Sequence, residues 1–436
     1  MLKKIKAESL YEKLVDEEDA RVCKAIDESA CKVVPGNFFL TIISYFFNKL
    51  ADSVANTKIV LPWIMQTLNV PVYLISFLVP IRESGSLLPQ LLIASFVRKM
   101  PIRKNMWVIG AFIQAFCMFG IAAVAYDLEG EIAGFAIIFI LIIFSLGRGL
   151  SSVAAKDVVG KTIPKTRRGV LNGWSASAAG LLVVLLGVYF LINNEKPFEA
   201  SNFAILLSLA GVFWIIAGAI YFNIVEYPGE TDGGGNAAIV AFKKLAILKT
   251  DKDFRNFVIS RALFLCSVLS APFYVVLAQD HMGSENFLLG LFILSSGLAS
   301  LLSATIWGKF SDISSRKVMM IGASITIVVG FFVFIIDTWF TNLLSFVWVM
   351  PLVYFILTIG YEGIRIGRKT YLVDLAGGNK RTDYVAVSNT LIGIILLFSG
   401  AIGALSSVLT ISQIILVLSL LGVIGVVLTS KLPEIE

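Results

Sequence analysis

The chain is poor in the residues that enzymes and metal sites use most. It holds one histidine, His281, so no histidine pair exists for a metal site or a relay. Its four cysteines show no Cys-x-x-Cys spacing. Cys23 and Cys31 fall in a polar tail and Cys117 and Cys266 in apolar runs, a pattern of structural thiols rather than a disulfide framework. No phosphate-binding loop is present. Gly233–Gly235 lacks a following Gly-Lys-Ser/Thr, and Gly367-Arg368-Lys369-Thr370 lacks the upstream glycine and strand. These absences argue against an enzyme and imply no cofactor, no metal and no ATP-driven step. Residues 1–36 carry Lys3, Lys4, Lys6, Glu17, Glu18, Asp19 and Arg21 with no apolar core, so they are not a signal peptide. They read as a cytoplasmic tail, with helical propensity over Ala7–Ile26.

Charge is scarce as well. Only 15% of the 436 residues are charged while 57% are hydrophobic, with mean hydropathy +0.85. Soluble domains run near roughly 45–50% apolar and 25% charged, so the excess marks an all-α membrane protein. The net charge of +6 is explained by placement in loops rather than by a nucleic-acid partner. A window of about 19 residues finds twelve spans. They are 37–65, 70–97, 104–126, 131–155, 168–193, 202–226, 255–279, 285–307, 318–337, 341–364, 383–405 and 409–430. The connection 227–254 is the long one, a glycine turn followed by an apolar, lysine-bearing stretch, Ala237–Lys249, that reads as an interfacial helix. It separates two six-helix bundles, 37–226 and 255–430, with tails at 1–36 and 431–436.

Lysine and arginine crowd the even-to-odd loops. The 2–3 loop has Arg98, Lys99, Arg103 and Lys104; the 4–5 loop has Lys156, Lys161, Lys165, Arg167 and Arg168. The 6–7 link has Lys243, Lys244, Lys249, Lys252 and Arg255, and the 8–9 loop Lys309, Arg316 and Lys317. Arg365, Arg368, Lys369, Lys380 and Arg381 follow span ten, and Lys196 is the one exception on the other side. The bias puts both termini in the cytoplasm of a multi-pass protein of the cell (inner or plasma) membrane. A shift of 214 residues superposes landmarks: Gly308 on Ala94, Phe310 on Phe96, Lys317 on Arg103, Arg381 on Arg167 and Glu362 on Arg148. The halves therefore repeat in parallel about an axis along the membrane normal.

The island Gly308-Lys309-Phe310-Ser311-Asp312-Ile313-Ser314-Ser315-Arg316-Lys317 reads as a tight hairpin between two spans. Its spacing Gly-x-x-x-Asp-x-x-x-Arg-Lys resembles the loop signature of the major facilitator superfamily, with Ser315 and Ile313 standing where a second glycine and an arginine are usual. The resemblance covers about residues 37–430. It implies two pseudo-symmetric bundles of six helices and alternating access. It also implies a gating role for Gly308, Asp312, Arg316 and Lys317, in which the acid caps a neighbouring helix and pairs with arginines to latch the outward-open state. The first-half copy has Ala94 and Arg98 where the second has Gly308 and Asp312, so that latch differs or is absent.

A charge near the bilayer centre costs roughly 2.5–3.5 kcal/mol, so it normally has a partner or lines a wet cavity. Such residues are Lys49, Asp52 and Lys58 in span one, Arg82 and Glu83 in span two, Arg148 in span four, Arg261 in span seven and Glu362 in span ten. In the family's fold spans one, four, seven and ten surround the cavity. Lys49, Asp52, Ser53 and Asn56 share one helix face. Asp52 opposite Arg148 suits a protonation switch, and a static Lys49–Asp52 or Asp52–Arg148 bridge is the alternative. Glu362, facing Arg148 across the pseudo-axis, suits a zwitterion site or a gating bridge. Adjacent positions point about 100° apart, so Arg82 and Glu83 are expected to face different partners, and Arg261 is expected either at the site or snorkelling to the cytoplasmic face.

The resulting reading is a monomeric secondary transporter of a small organic solute, coupled to a proton or another ion. A slight excess of cavity cations favours a solute with a carboxylate or other anionic group. Two alternatives stand: a non-transporting assembly or helper protein on the same fold, and a multidrug/proton antiporter. The antiporter's Gly-Pro signature is missing from span five, where Gly173, Ser175, Ser177, Gly180 and Gly187 occur without proline.

Overall fold

A computed structural model describes residues 32–88, 93, 96–97, 99–164, 167–192, 200–229, 231, 245–375 and 381–434. Expectations for the N-terminal tail, Cys23, Cys31, Ala94, Arg98, Lys165, Lys196, residues 237–244 and Lys380 lie outside the described residues, as does the side chain of Arg381.

The described chain is helical. The first half comprises α1 (Val34–Val54), α2 (Val60–Thr67), α3 (Val72–Ile75), α4 (Leu78–Leu87), α5 (Lys104–Asp127), α6 (Gly130–Thr162), α7 (Arg168–Ile192) and α8 (Ala200–Phe222). After a short α9 (Ile247–Thr250) come α10 (Lys252–Leu263), α11 (Cys266–Met282), α12 (Asn286–Ile313), α13 (Ser315–Trp339), α14 (Val349–Leu375), α15 (Arg381–Ser399) and α16 (Ile411–Ser430). Two 3-10 segments, Thr341–Ser345 and Gly400–Ser407, precede α14 and follow α15. Among the described residues ten helical stretches are long and apolar enough to cross a membrane. Phe116, Phe139, Leu185 and Val328 sit exposed on their outer faces, as lipid-facing residues do.

The first two expected spans break, and the seventh does so between Leu263 and Cys266. Pro62 has no N–H to bond the carbonyl of Lys58, and its ring excludes a continuous helix there. The chain accordingly leaves α1 at Val54 and resumes at Val60. In the gap the Asn56 side-chain oxygen accepts from the Lys58 N–H at 2.8 Å, and the Asn56 carbonyl from the Leu61 N–H at 2.9 Å. Pro80 does the same four residues after Ser76, between α3 and α4.

Other helices outrun their apolar windows. The hairpin expected at 308–317 shrinks to Ser314, which caps α13 by accepting from the Lys317 N–H. Span four runs to Thr162 and span ten to Leu375, so Lys156, Arg365, Arg368 and Lys369 are helical rather than loop residues. A hydropathy window stops at charge, whereas a helix facing water needs no apolar residue on that face.

Glycine contacts repeat between the halves. A Cβ on Gly110 would lie 2.5 Å from the Gly147 carbonyl oxygen, and one on Gly322 2.6 Å from that of Gly360. Residue 110 thus corresponds to 322 and 147 to 360, offsets of 212 and 213 where the sequence landmarks give 214. In this register Tyr361, not Glu362, corresponds to Arg148.

At the basic end each half is tied by a carboxylate the sequence did not single out. Buried Glu226 accepts from the N–H groups of Arg103 (2.9 Å) and Lys104 (2.7 Å) at the start of α5, and from Lys161 Nζ at 2.9 Å. Arg103 also bridges Asp157 at 3.0 Å. An acid at a helix N-terminus meets free donors and the positive end of the dipole. Glu434 plays the matching part at α13, accepting from Ser314 Oγ and Arg316 at 3.1 Å and pairing with Lys317 at 3.3 Å. Hydrogen bonds from Lys317 and Ser314 hold its carboxyl below the ordinary value. Replacing Glu226 with Gln leaves buried donors and Lys161 short of an acceptor. We expect a loss of about 1–3 kcal/mol, read as a clear fall in the thermal midpoint of the purified protein; an unchanged midpoint would refute the capping role.

Candidate functional site

Two connected cavities run through the middle of the molecule. The inner one, about 480 Å³, is lined from α1 by Asp52 and Ser53, from the break by Asn56 and Lys58, and from α4 by Arg82 and Glu83. Arg148 of α6 and Ser267 of α11 join them, with Ser296 and Ser300 of α12. From α14 come Tyr354, Thr358, Tyr361, Glu362, Arg365, Arg368 and Lys369. The second, about 770 Å³, shares Asp52, Glu83, Arg148, Arg368 and Lys369 and reaches the basic end through Lys49, Lys156, Asn172, Arg261 and Asn389.

Asp52 stands where the two meet. Its Oδ1 accepts from Arg82 Nη2 at 3.1 Å and pairs with Arg148 Nη1. Arg82 Nη1 lies 3.5 Å from Glu83 Oε1, so both neighbours reach the cavity instead of dividing between partners. The length of the arginine side chain overcomes the 100° offset. Glycines aim Arg148. A Cβ on Gly147 would lie 2.7 Å from Ile113 Cγ2, and one on Gly149 3.3 Å from the Gly85 carbonyl oxygen, so α6 packs close against α5 and α4 and the intervening arginine faces α1.

Other expected residues have different partners. Lys49 does not bridge Asp52; its Nζ donates to the Asn172 carbonyl at 2.9 Å and to Ser175 Oγ at 2.8 Å, joining α1 to α7. Glu362 pairs with Arg365 one turn along its own helix rather than with Arg148. Arg261 is buried and donates to Ser388 Oγ at 2.6 Å and Asn389 Oδ1 at 3.0 Å, so it does not snorkel. Asn56 lines the inner cavity and shapes the break. In the loop signature, exposed Asp312 has no partner among the described residues, and nothing lies within 4 Å of where a Gly308 Cβ would be. Arg316 and Lys317 are engaged with Glu434, and Arg316 also donates to the Leu432 carbonyl at 2.6 Å.

Sequence reasoning missed Tyr361, whose ring centroid lies 3.8 Å from Lys58 Nζ, a cation–π contact across the two halves. It also placed Arg365, Arg368 and Lys369 outside the site. Helical spacing was the available signal: 361, 365, 368 and 369 follow 358 on one α14 face.

At the end away from the basic loops the halves meet tightly. Gln66 donates to Asp280 at 2.8 Å, Gln279 to the Trp63 carbonyl at 3.3 Å, and Ser76 Oγ to the Gly400 carbonyl at 3.0 Å. His281 and Asp337 are 2.9 Å apart beside them. A Cβ on Gly400 would sit 2.3 Å from Phe77, and one on Gly187 3.2 Å from the Gly290 carbonyl oxygen.

A model of the Major Facilitator Superfamily matches residues 38–401. No curated protein matches the chain by sequence. Among solved structures, the nucleoside transporter NupG is 13% identical, with 91% of this chain and 99% of that one covered at a TM-score of 0.67. A D-xylose–proton symporter is 14% identical, covering 91% and 97% at 0.66. The inward-open xylose transporter XylE from E. coli is 12% identical, covering 92% and 96% at 0.63. At these identities the likeness is one of fold.

Proposed function

Because this chain belongs to the major facilitator superfamily, we propose that it is a secondary active transporter that carries a small organic solute bearing an anionic group, coupled to protons. The bundles 37–226 and 255–430 rock about the central cavity, and positive loops keep the basic end cytoplasmic. The described conformation is then inward-facing, with the outer end sealed around Gln66, Ser76, Asp280 and Gly400 and with Asp312 unlatched.

The carrying observation is Asp52 held by Arg82 and Arg148 where the two cavities join. An anionic solute arriving from either side competes with Asp52 for Arg148. When the solute takes the guanidinium, the freed carboxylate accepts a proton; when the solute leaves, the proton returns to water and the ion pair re-forms. Solute and proton thereby move together. Lys49, Arg261 and Asn56 hold the surrounding helices, and Glu83 and Glu362 complete the polar wall. In proteoliposomes under an imposed pH gradient, solute addition should drive proton movement, and Asp52→Asn should abolish it. An Asp52→Asn variant with unchanged proton movement would sink the coupling role.

A further inference from the structure

The inner cavity carries more positive charge than its own carboxylates balance. It holds six cations, Lys58, Arg82, Arg148, Arg365, Arg368 and Lys369, and three acids, Asp52, Glu83 and Glu362, a surplus of three. The acids are already spoken for: Asp52 by Arg82 and Arg148, Glu83 by Arg82 and Glu362 by Arg365. Lys58, Arg368 and Lys369 have no carboxylate within salt-bridge reach among the described residues. Lys58 has only the Tyr361 ring beneath it. Within a membrane protein, like charges gathered without partners are costly and mark a path or a ligand. The wall is mainly polar: beside Val268, Ala271 and Leu357, the hydroxyls of Thr358, Tyr354, Ser267, Ser296 and Ser300 surround the cations.

We propose that the transported solute carries at least two negative charges, with one anionic group held by Arg148 and a second between Lys58 of α1's break and Arg368 of α14. This rests on the transport reading above and narrows its substrate class to polar organic solutes with two separate anionic groups, whether two carboxylates or a carboxylate and a phosphate. Lys58 belongs to the first half and Arg368 to the second. A second anionic group bridging them therefore ties the halves across the cavity only while the solute is bound. A monoanion satisfies Arg148 alone and leaves that bridge unmade. The cavity's 480 Å³ falls within the ~300–1,000 Å³ of small-molecule sites.

The test uses the full-length protein in detergent at constant ionic strength, followed by thermal shift. Succinate, succinamate and succinamide present one skeleton with two, one and no charges; 3-phosphoglycerate against glycerol 3-phosphate adds a carboxylate beside a phosphate on one three-carbon skeleton. The midpoint should rise with charge in at least one series, and that series identifies the carboxylate or phosphate source. Lys58→Gln and Arg368→Gln, one in each half, should each weaken the probe with two anionic groups about tenfold, or ~1.4 kcal/mol, with little effect on the probe with one. A response independent of charge, silence to every probe, or an unchanged preference in both variants overturns the proposal. Uptake of a monoanion by proteoliposomes alongside such a result would leave the transport reading standing; no flux of any solute, of any charge, would remove that reading too.

Discussion

Arg148→Gln should abolish saturable uptake, while the double variant Asp52→Asn/Arg148→Gln should fold better than either single one and still not transport. The pair lies at a wet junction, with side-chain exposures of 30% for Arg148 and 19% for Asp52. Its rupture should therefore cost less than the ~3–5 kcal/mol of a fully buried pair. Solute binding takes the larger effect. Truncating one partner of a hydrogen-bonded charge pair costs about 2–5 kcal/mol, equivalent to a roughly 30- to 4,000-fold weaker solute. Arg148→Lys keeps the charge but has no planar fork for Asp52 or a bound anionic group, so it should recover stability more than uptake. Stability and transport thus separate. Asp52→Asn orphans Arg148, and Arg148→Gln leaves Asp52 with Arg82 alone; in the double variant neither charge is left and Arg82 keeps Glu83, so the losses should be strongly non-additive in thermal midpoint. Additive losses would mean that the two residues act apart.

Much of this site was legible because membrane insertion makes interior charge rare. Asp52, Arg82, Glu83 and Arg148 stand out from apolar surroundings, and the structure brings them together. What was hidden lies where charge ends a hydropathy window although the helix goes on. Arg365, Arg368 and Lys369 looked like an orienting loop and proved to be three cavity-facing positions of α14. Glu226 and Glu434 were hidden for a different reason. Each follows its last helix in an irregular stretch, and its partners at a helix N-terminus, backbone N–H groups for Glu226 and the side chains of Ser314, Arg316 and Lys317 for Glu434, are more than a hundred residues away. Only the fold brings acid and donors together. The repeat register shows the same limit: charged landmarks align at 214, yet the close glycine contacts align at 212 and 213, since packing rather than charge fixes which residues face the cavity.

The outer seal is where a small change should move the whole molecule. A Cβ on Gly403 would lie 1.7 Å from Ser76 Oγ, 2.4 Å from Ser76 Cβ and 3.0 Å from the Tyr73 carbonyl oxygen. Rotating one hydroxyl cannot clear contacts to a Cβ and a backbone oxygen, so Gly403→Ala must push α3 and the Gly400–Ser407 segment apart. Those segments belong to opposite halves, and in the rocking mechanism proposed above their separation would accompany an outward opening. Each ~1.4 kcal/mol of disfavour shifts the two states tenfold. Ser152 lines the cavity near the basic end, so a Ser152→Cys probe on a background without the native cysteines reports that opening through its alkylation rate. Gly403→Ala should slow it by about tenfold or more. Gly160→Ala, with nothing within 4 Å, should leave it unchanged. Ser76→Gly removes both obstructing side-chain atoms together with the hydrogen bond to the Gly400 carbonyl, so in the Gly403→Ala background it should restore the rate to that of Ser76→Gly alone. Failure of that rescue would place the block outside the seal, whereas success would show that closure depends on the Ser76 hydroxymethyl group lying against a residue that has no side chain.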